Sequence, residues 1–123
     1  MKKNKMIKLL FAMTTTLLMN NVIAAEGEIE QLSVEHGCVT CHSVTQQKTD
    51  AKPVAPSFID IAKRFHAEGD YEYLVNIIKY GSNPYKSDWK GKITGAAMPP
   101  NKGIMSDFEI NKLLVAILSL DNK

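Results

Sequence analysis

Five consecutive residues, Cys38-Val39-Thr40-Cys41-His42, constrain this 123-residue chain more than any other feature. Residues three and four apart lie on one face of a helical turn. Cys38, Cys41 and His42 can therefore project together, two thiols and an imidazole on one small patch. A redox dithiol would place its C-x-x-C beside a strand–helix unit, and no strand-like run precedes Cys38. A structural zinc ion takes four nitrogen or sulfur ligands, and these three have no second Cys/His pair downstream. A plain disulfide across two residues is the remaining alternative. The full pattern C-x-x-C-H is the attachment signature of a c-type haem. The two cysteines would form thioether bonds to the porphyrin, and His42 would be the proximal ligand of iron. The chain has only two cysteines and three histidines, so the pattern absorbs both cysteines and one histidine.

Residues 1–25 read as a secretory signal peptide rather than part of the folded domain. Lys2, Lys3, Lys5 and Lys8 form a basic n-region, Leu9 to Met19 an apolar core diluted by three threonines, and Val22-Ile23-Ala24-Ala25 a small-residue cleavage region. Cleavage after Ala24 or Ala25 fits equally. A spanning helix needs roughly 20 apolar residues, and this core is shorter. Export agrees with covalent haem, which is attached on the far side of the bacterial inner membrane. Four of the 15 basic residues and none of the 13 acids lie in the leader, so the remainder carries 11 against 13, a net charge of −2. The basic balance is thus a targeting feature, and nucleic acid is not an expected partner. Residues 26–123 form a single small domain.

That domain reads as helices joined by loops. Glu28 to Gly37 is a first helix, with Ile29, Leu32 and Val34 or His36 on its apolar side and two acids in its first turn. His36, two residues before Cys38, is expected to be solvated. Pro53 and Pro56 exclude regular helix from the loop after the haem motif. Ser57 caps a second helix, Phe58 to about His66, and a third runs from about Tyr71 to Tyr80 with Gly81 as its stop. Asn83 to Gly103 holds three prolines and the only Trp, and reads as a long functional loop. Ser106-Asp107-Phe108-Glu109 is a capping box opening an amphipathic last helix. No strand pattern or repeat occurs, so the class is all-α.

The sixth iron ligand decides the chemistry. Outside the leader the candidates are Met98, Met105, His36 and His66. Met98 stands in Gly95-Ala96-Ala97-Met98-Pro99-Pro100. The small residues before it permit close approach to a haem face, and the prolines after it stiffen the loop, so little entropy is lost on ligation. Met105, just before the last helix, is explained by packing, and His66 as a surface residue. A His42/Met98 pair raises the reduction potential and leaves no open coordination position, as an electron carrier requires.

The pieces follow one another in a known order: a helix into the Cys38–His42 motif, Ala55-Pro56-Ser57-Phe58, Ile78-Lys79-Tyr80-Gly81-Ser82, Trp89, Met98-Pro99-Pro100-Asn101, and an amphipathic final helix. In this the chain resembles the class I cytochromes c of bacteria, most closely the small cytochrome c-551/c-552 type. The resemblance implies a small cytochrome c fold of four to five helices wrapped around one covalently bound haem. It implies that the Pro56 carbonyl accepts a hydrogen bond from the outer nitrogen of His42. It also implies that Asn101 lies near the Met sulfur and that the Trp89 N–H reaches a haem propionate. The spacing from Trp89 to Met98 is longer here than in short members, which alters the rim of the pocket.

The expected function is that of a periplasmic, monomeric one-electron carrier and not an enzyme. It would meet a redox-protein donor and acceptor by transient contact, with no membrane insertion once the leader is cleaved. Two alternatives are a haem c subunit of a periplasmic oxidoreductase, such as a sulfur-compound dehydrogenase, and a five-coordinate gas- or peroxide-binding haem protein. A domain of this size has a limited apolar core of its own, so haem should complete it. A Cys38→Ala/Cys41→Ala variant is therefore expected to lose most of its native helicity in circular dichroism; full helicity would show that the core closes without the cofactor.

Overall fold

The computed structural model describes residues 26–121 apart from residue 84, so the leader reading falls outside the described residues. Four α-helices appear in the order expected: α1 over 26–35, α2 Phe58–Arg64, α3 Asp70–Tyr80 and α4 Asp107–Leu118. Two 3-10 turns, Cys38–Thr40 and Ser119–Asp121, complete the regular structure. Among the described residues there is no strand, only an isolated bridge between Lys102 and Met105. None of the described helices is long and apolar enough to cross a membrane.

The core forms where α1, α2 and α4 meet. Ile29 and Leu32 of α1 pack with Phe58 and Ala62 of α2 and with Ile110, Leu113, Ala116 and Ile117 of α4. Met105 joins them at 4% exposure, which agrees with its reading as a packing residue. A smaller cluster links Phe65, Leu74 of α3 and Leu114 of α4. Because helical residues at i, i+3, i+4 and i+7 share a face, the buried side of α1 is Ile29, Leu32, Ser33 and His36. Ser33 is fully buried, whereas Val34 is 59% exposed. Of the two residues offered for the apolar side, His36 takes it and Val34 does not. One expectation is thereby corrected, because His36 is not solvated: its side chain is 10% exposed and faces Glu109 of α4 at 3.4 Å. Period outweighs residue type here. Lying seven residues after Ile29, His36 is carried inward by the helix.

Sequence signals at the helix ends act as expected. Ser57 Oγ accepts a hydrogen bond from the Asp60 amide at 3.2 Å and opens α2. At α4 the reciprocal capping box is complete. Ser106 Oγ accepts from the Glu109 amide at 3.3 Å, and the Ser106 amide donates to Glu109 Oε2 at 2.8 Å. These two bonds satisfy amide groups that a helix start leaves unpaired. The Ser106 hydroxyl and amide hold the Glu109 carboxyl below its ordinary value.

Losing the cap in Ser106→Ala should cost about 1 kcal/mol in chemical denaturation. A carboxyl lowered by folding adds stability that is complete above its ordinary value and is lost as pH falls through the depressed one. Wild-type stability should therefore decline with acidification below about pH 4.5, and Ser106→Ala should flatten that limb.

Candidate functional site

The site begins where α1 stops. Gly37 takes a left-handed conformation, φ 72°, which a residue with a Cβ adopts only with strain. This reverses the chain into the Cys38–Thr40 turn. The amides of Cys41 and His42 both donate to the Cys38 carbonyl, at 3.2 and 2.9 Å. Cys38, Cys41 and His42 thus occupy one helical turn. Immediately afterwards the chain is tied to the start of α2, where the Phe58 amide donates to the Ser43 carbonyl at 2.8 Å and the Ile59 amide to Val44 at 3.2 Å.

His42 is fixed from two sides. Its Nδ1 lies 2.8 Å from the Pro56 carbonyl oxygen, and its ring stacks on Phe58 with centroids 5.3 Å apart and planes 11° apart. A carbonyl can only accept, so Nδ1 carries the proton and Nε2 presents a lone pair. Burial pushes the imidazole below its ordinary pKa, opposed by the Pro56 bond. It is accordingly neutral at pH 7, the form that binds metal. Burial also pushes the Cys38 thiol up, while Cys41 is exposed.

These groups line one cleft, enclosing about 1010 Å³ of open space with its mouth included. Its walls are mostly apolar, among them Val54, Ile61, Phe65, Leu74, Ile77 and Ile93. Met98 and Asn101 line the same cleft, as do Pro56 and Trp89. Every residue singled out in the sequence for haem binding therefore borders one space. A flat apolar cofactor needs such walls; two thiols suit covalent attachment to a porphyrin, and a neutral imidazole and a thioether suit its iron. The residues present fit the group.

The Met98 loop is held in a way the sequence did not reveal. The Ser82 amide donates to the Met98 carbonyl at 3.0 Å, and the Met98 amide donates to Ser82 Oγ at 3.1 Å. One serine, 16 residues away in the chain, thus grips both sides of the methionine. The next residues run along the end of α3: the amides of Asn101 and Lys102 donate to the carbonyls of Ile78 and Lys79, at 3.1 and 3.0 Å. These are carbonyls that a helix end leaves unsatisfied, so the loop caps α3 while α3 positions the loop. The Asn101 side-chain amide reinforces this by donating to the Pro99 and Ile78 carbonyls at 3.1 and 3.3 Å. Gly81 makes the approach possible: a Cβ there would stand 2.5 Å from the Met98 carbonyl oxygen, and its φ is 81°. The sequence marked Gly81 as a helix stop and, with Ser82, as part of a segment carrying the family resemblance, but it gave neither residue a role at the methionine.

Trp89 forms part of the cleft wall and lies between cations. The Arg64 guanidinium stands 5.8 Å from the Trp89 ring centroid and Lys92 Nζ 5.7 Å. Arg64 also pairs with Asp88 at 2.7 Å, and this contact holds the Asp88 carboxyl below its ordinary value. The Thr94 amide donates to the Pro53 carbonyl at 2.9 Å and bridges the two long loops.

Comparison with known proteins follows the same lines. A family model described as Cytochrome c matches residues 27–121. Cytochrome c-551 of Pseudomonas denitrificans is 42% identical over 73 residues, covering 58% of this chain and 74% of that protein. Cytochrome c-552 of Hydrogenobacter thermophilus is 33% identical over 92 residues, covering 74% and 80% respectively. The crystal structure of wild-type Nitrosomonas europaea cytochrome c552 superposes with a TM-score of 0.56 at 32% identity, over 74% of this chain and 98% of that one. The Class 1 cytochrome MtoD from Sideroxydans lithotrophicus shares the fold, with a TM-score of 0.55 at 22% identity over 77% and 95% of the two chains.

Gly81→Ala should destabilise the folded protein by more than about 1 kcal/mol, from the left-handed backbone and the displaced Met98 carbonyl together. Guanidinium denaturation of the haem-loaded protein measures it. An effect below half that value would show that the loop shifts freely.

Proposed function

The chain belongs to the cytochrome c family, and we propose that it is a periplasmic one-electron carrier with His42 and Met98 as the two axial ligands of its iron. The family carries electrons and holds haem c covalently, and Cys38 and Cys41 provide that attachment here. The finer reading is supported above all by one observation: the neutral, doubly braced His42 and the doubly gripped Met98 border a single apolar cleft with both cysteines.

Bound there, the haem iron supplies a ferric/ferrous couple that accepts and returns one electron. The protein's part is positional and electrostatic. Pro56 accepts the Nδ1 proton bond of His42, fixing the ring and raising its basicity as a ligand. Ser82 and the Pro99-Pro100 pair hold the Met98 backbone, so ligation by its thioether would cost little ordering entropy. Asn101 pins the same loop. Trp89 forms part of the cleft wall, its ring held by Arg64 and Lys92, and its N–H would reach a propionate. Ligated by both His42 and Met98, the iron would have no position left for a substrate, consistent with a carrier that is not an enzyme. The leader at residues 1–25 would direct the chain to the periplasm. There it would act as a monomer on redox-protein donors and acceptors through transient contact.

The test is spectroscopic. Protein produced in the periplasm with haem-attachment machinery should show, when oxidised, the weak far-red band of methionine sulfur bound to iron. Met98→Ala should abolish the band and let the reduced protein bind carbon monoxide, whereas Met105→Ala should keep the band at some cost in stability. A wild type without the band that binds carbon monoxide readily would replace the carrier with a ligand-binding protein. Stable co-purification with a second polypeptide would make the chain a subunit.

A further inference from the structure

Among the described residues, one buried side-chain polar atom has no hydrogen-bond partner. His36 Nε2 is shielded from solvent and accepts or donates no hydrogen bond, on a side chain that is 10% exposed. A buried polar atom in this state costs free energy unless something satisfies it. The nearest charged atom is Glu109 Oε1, 3.4 Å away. The other oxygen of that carboxylate, Oε2, is occupied by the Ser106 amide at 2.8 Å and the Ser106 hydroxyl at 2.6 Å. The carboxylate is therefore oriented by its cap, with Oε1 turned to the imidazole. Glu35, at the end of α1, brings a second carboxylate. One ligand atom from each of Glu35, His36 and Glu109 lies within 4.8 Å of the other two.

We propose that Glu35, His36 and Glu109 form a binding site for one divalent transition-metal cation of the zinc class. His36 Nε2, Glu109 Oε1 and a Glu35 carboxylate oxygen would be its ligands. The metric agrees: tetrahedral zinc with bonds of about 2.0–2.1 Å has ligand–ligand edges of about 3.3–3.4 Å. His36 and Glu109 already stand at that separation, and the exposed Glu35 closes on the ion by rotating its side chain. Imidazole with two carboxylates suits zinc, whereas calcium and magnesium take oxygen ligands in larger number. Ser106 plays the orienting role that hydrogen-bond donors have behind ligating carboxylates. Three protein ligands leave one position for water. The ion ties the end of α1 to the first turn of α4, two residues ahead of the haem-bearing Cys38. A simple His36–Glu109 ion pair is the competing account, and it gives Glu35 no part.

The test is calorimetric titration of the oxidised, chelator-stripped holoprotein with zinc chloride. One zinc ion should bind per chain and raise the thermal midpoint. Glu35→Gln and His36→Gln should each weaken binding at least tenfold. His66→Gln, at the exposed histidine near Asp121, should leave it unchanged, and magnesium chloride should give no binding. The proposal is overturned if the wild type takes up no stoichiometric zinc, if binding survives Glu35→Gln, or if it is lost in His66→Gln. Because Glu35 is exposed, its variant folds independently of whether His36→Gln does, and an unchanged affinity there decides for the ion pair.

Discussion

The packing of α1 against α4 is the contact on which the rest of this structure depends. Ile29 and Leu32 on one helix pack with Ile110, Leu113 and Ile117 on the other. Ser33, also buried, turns its hydroxyl back to the Glu30 carbonyl at 3.4 Å. The consequence is topological. α1 runs directly into the cysteine-bearing turn, and α4 follows directly from the methionine loop. One helix pair therefore brings residues 42 and 98 to the same cleft. Along the polar edge of that pair, Glu28 stands 3.3 Å from Lys112 and His36 faces Glu109 at 3.4 Å.

Beyond this contact the protein relies on its cofactor as much as on its own side chains. The buried residues are few, and Phe65, Leu74 and Leu114 form a second cluster beside the cleft rather than a continuation of the main core. A flat apolar group between the two would give Ile61, Ile77 and Trp89 a surface to pack on, converting a cleft into an interior. Covalent attachment makes that contribution permanent, since a group that binds only the folded state stabilises it.

The two candidate ligands are secured by different physics. His42 is anchored within its own neighbourhood, by a turn, a proline carbonyl fourteen residues on and a stacked Phe58. Met98 is anchored from a distance, because its loop completes the hydrogen bonding of α3. The carbonyls of Ile78 and Lys79 have to find donors, and Asn101 and Lys102 provide them. An obligation of the helix end is thus met by the ligand loop, and displacing the loop would expose those carbonyls. This couples the position of the Met98 loop to the integrity of α3.

Local signals in the sequence determined the all-α class, the four helices, their caps at Ser57 and Ser106, and the cluster of Cys38, Cys41, His42 and Met98 as one site. These rest on short-range physics: helical spacing, side chains that bond the nearest amides, and a proline-stiffened loop. Only the tertiary structure decided which way His36 and Val34 face, that Ser82 grips Met98 from 16 residues away, and that Gly81 must lack a Cβ to let the loop pass. Each of these depends on a second segment whose position no local pattern encodes. His36 is the clearest case. As a residue type beside a haem motif it reads as solvated, and packing against α4 places it inside, because helical period and the partner helix outweigh the polarity of one side chain.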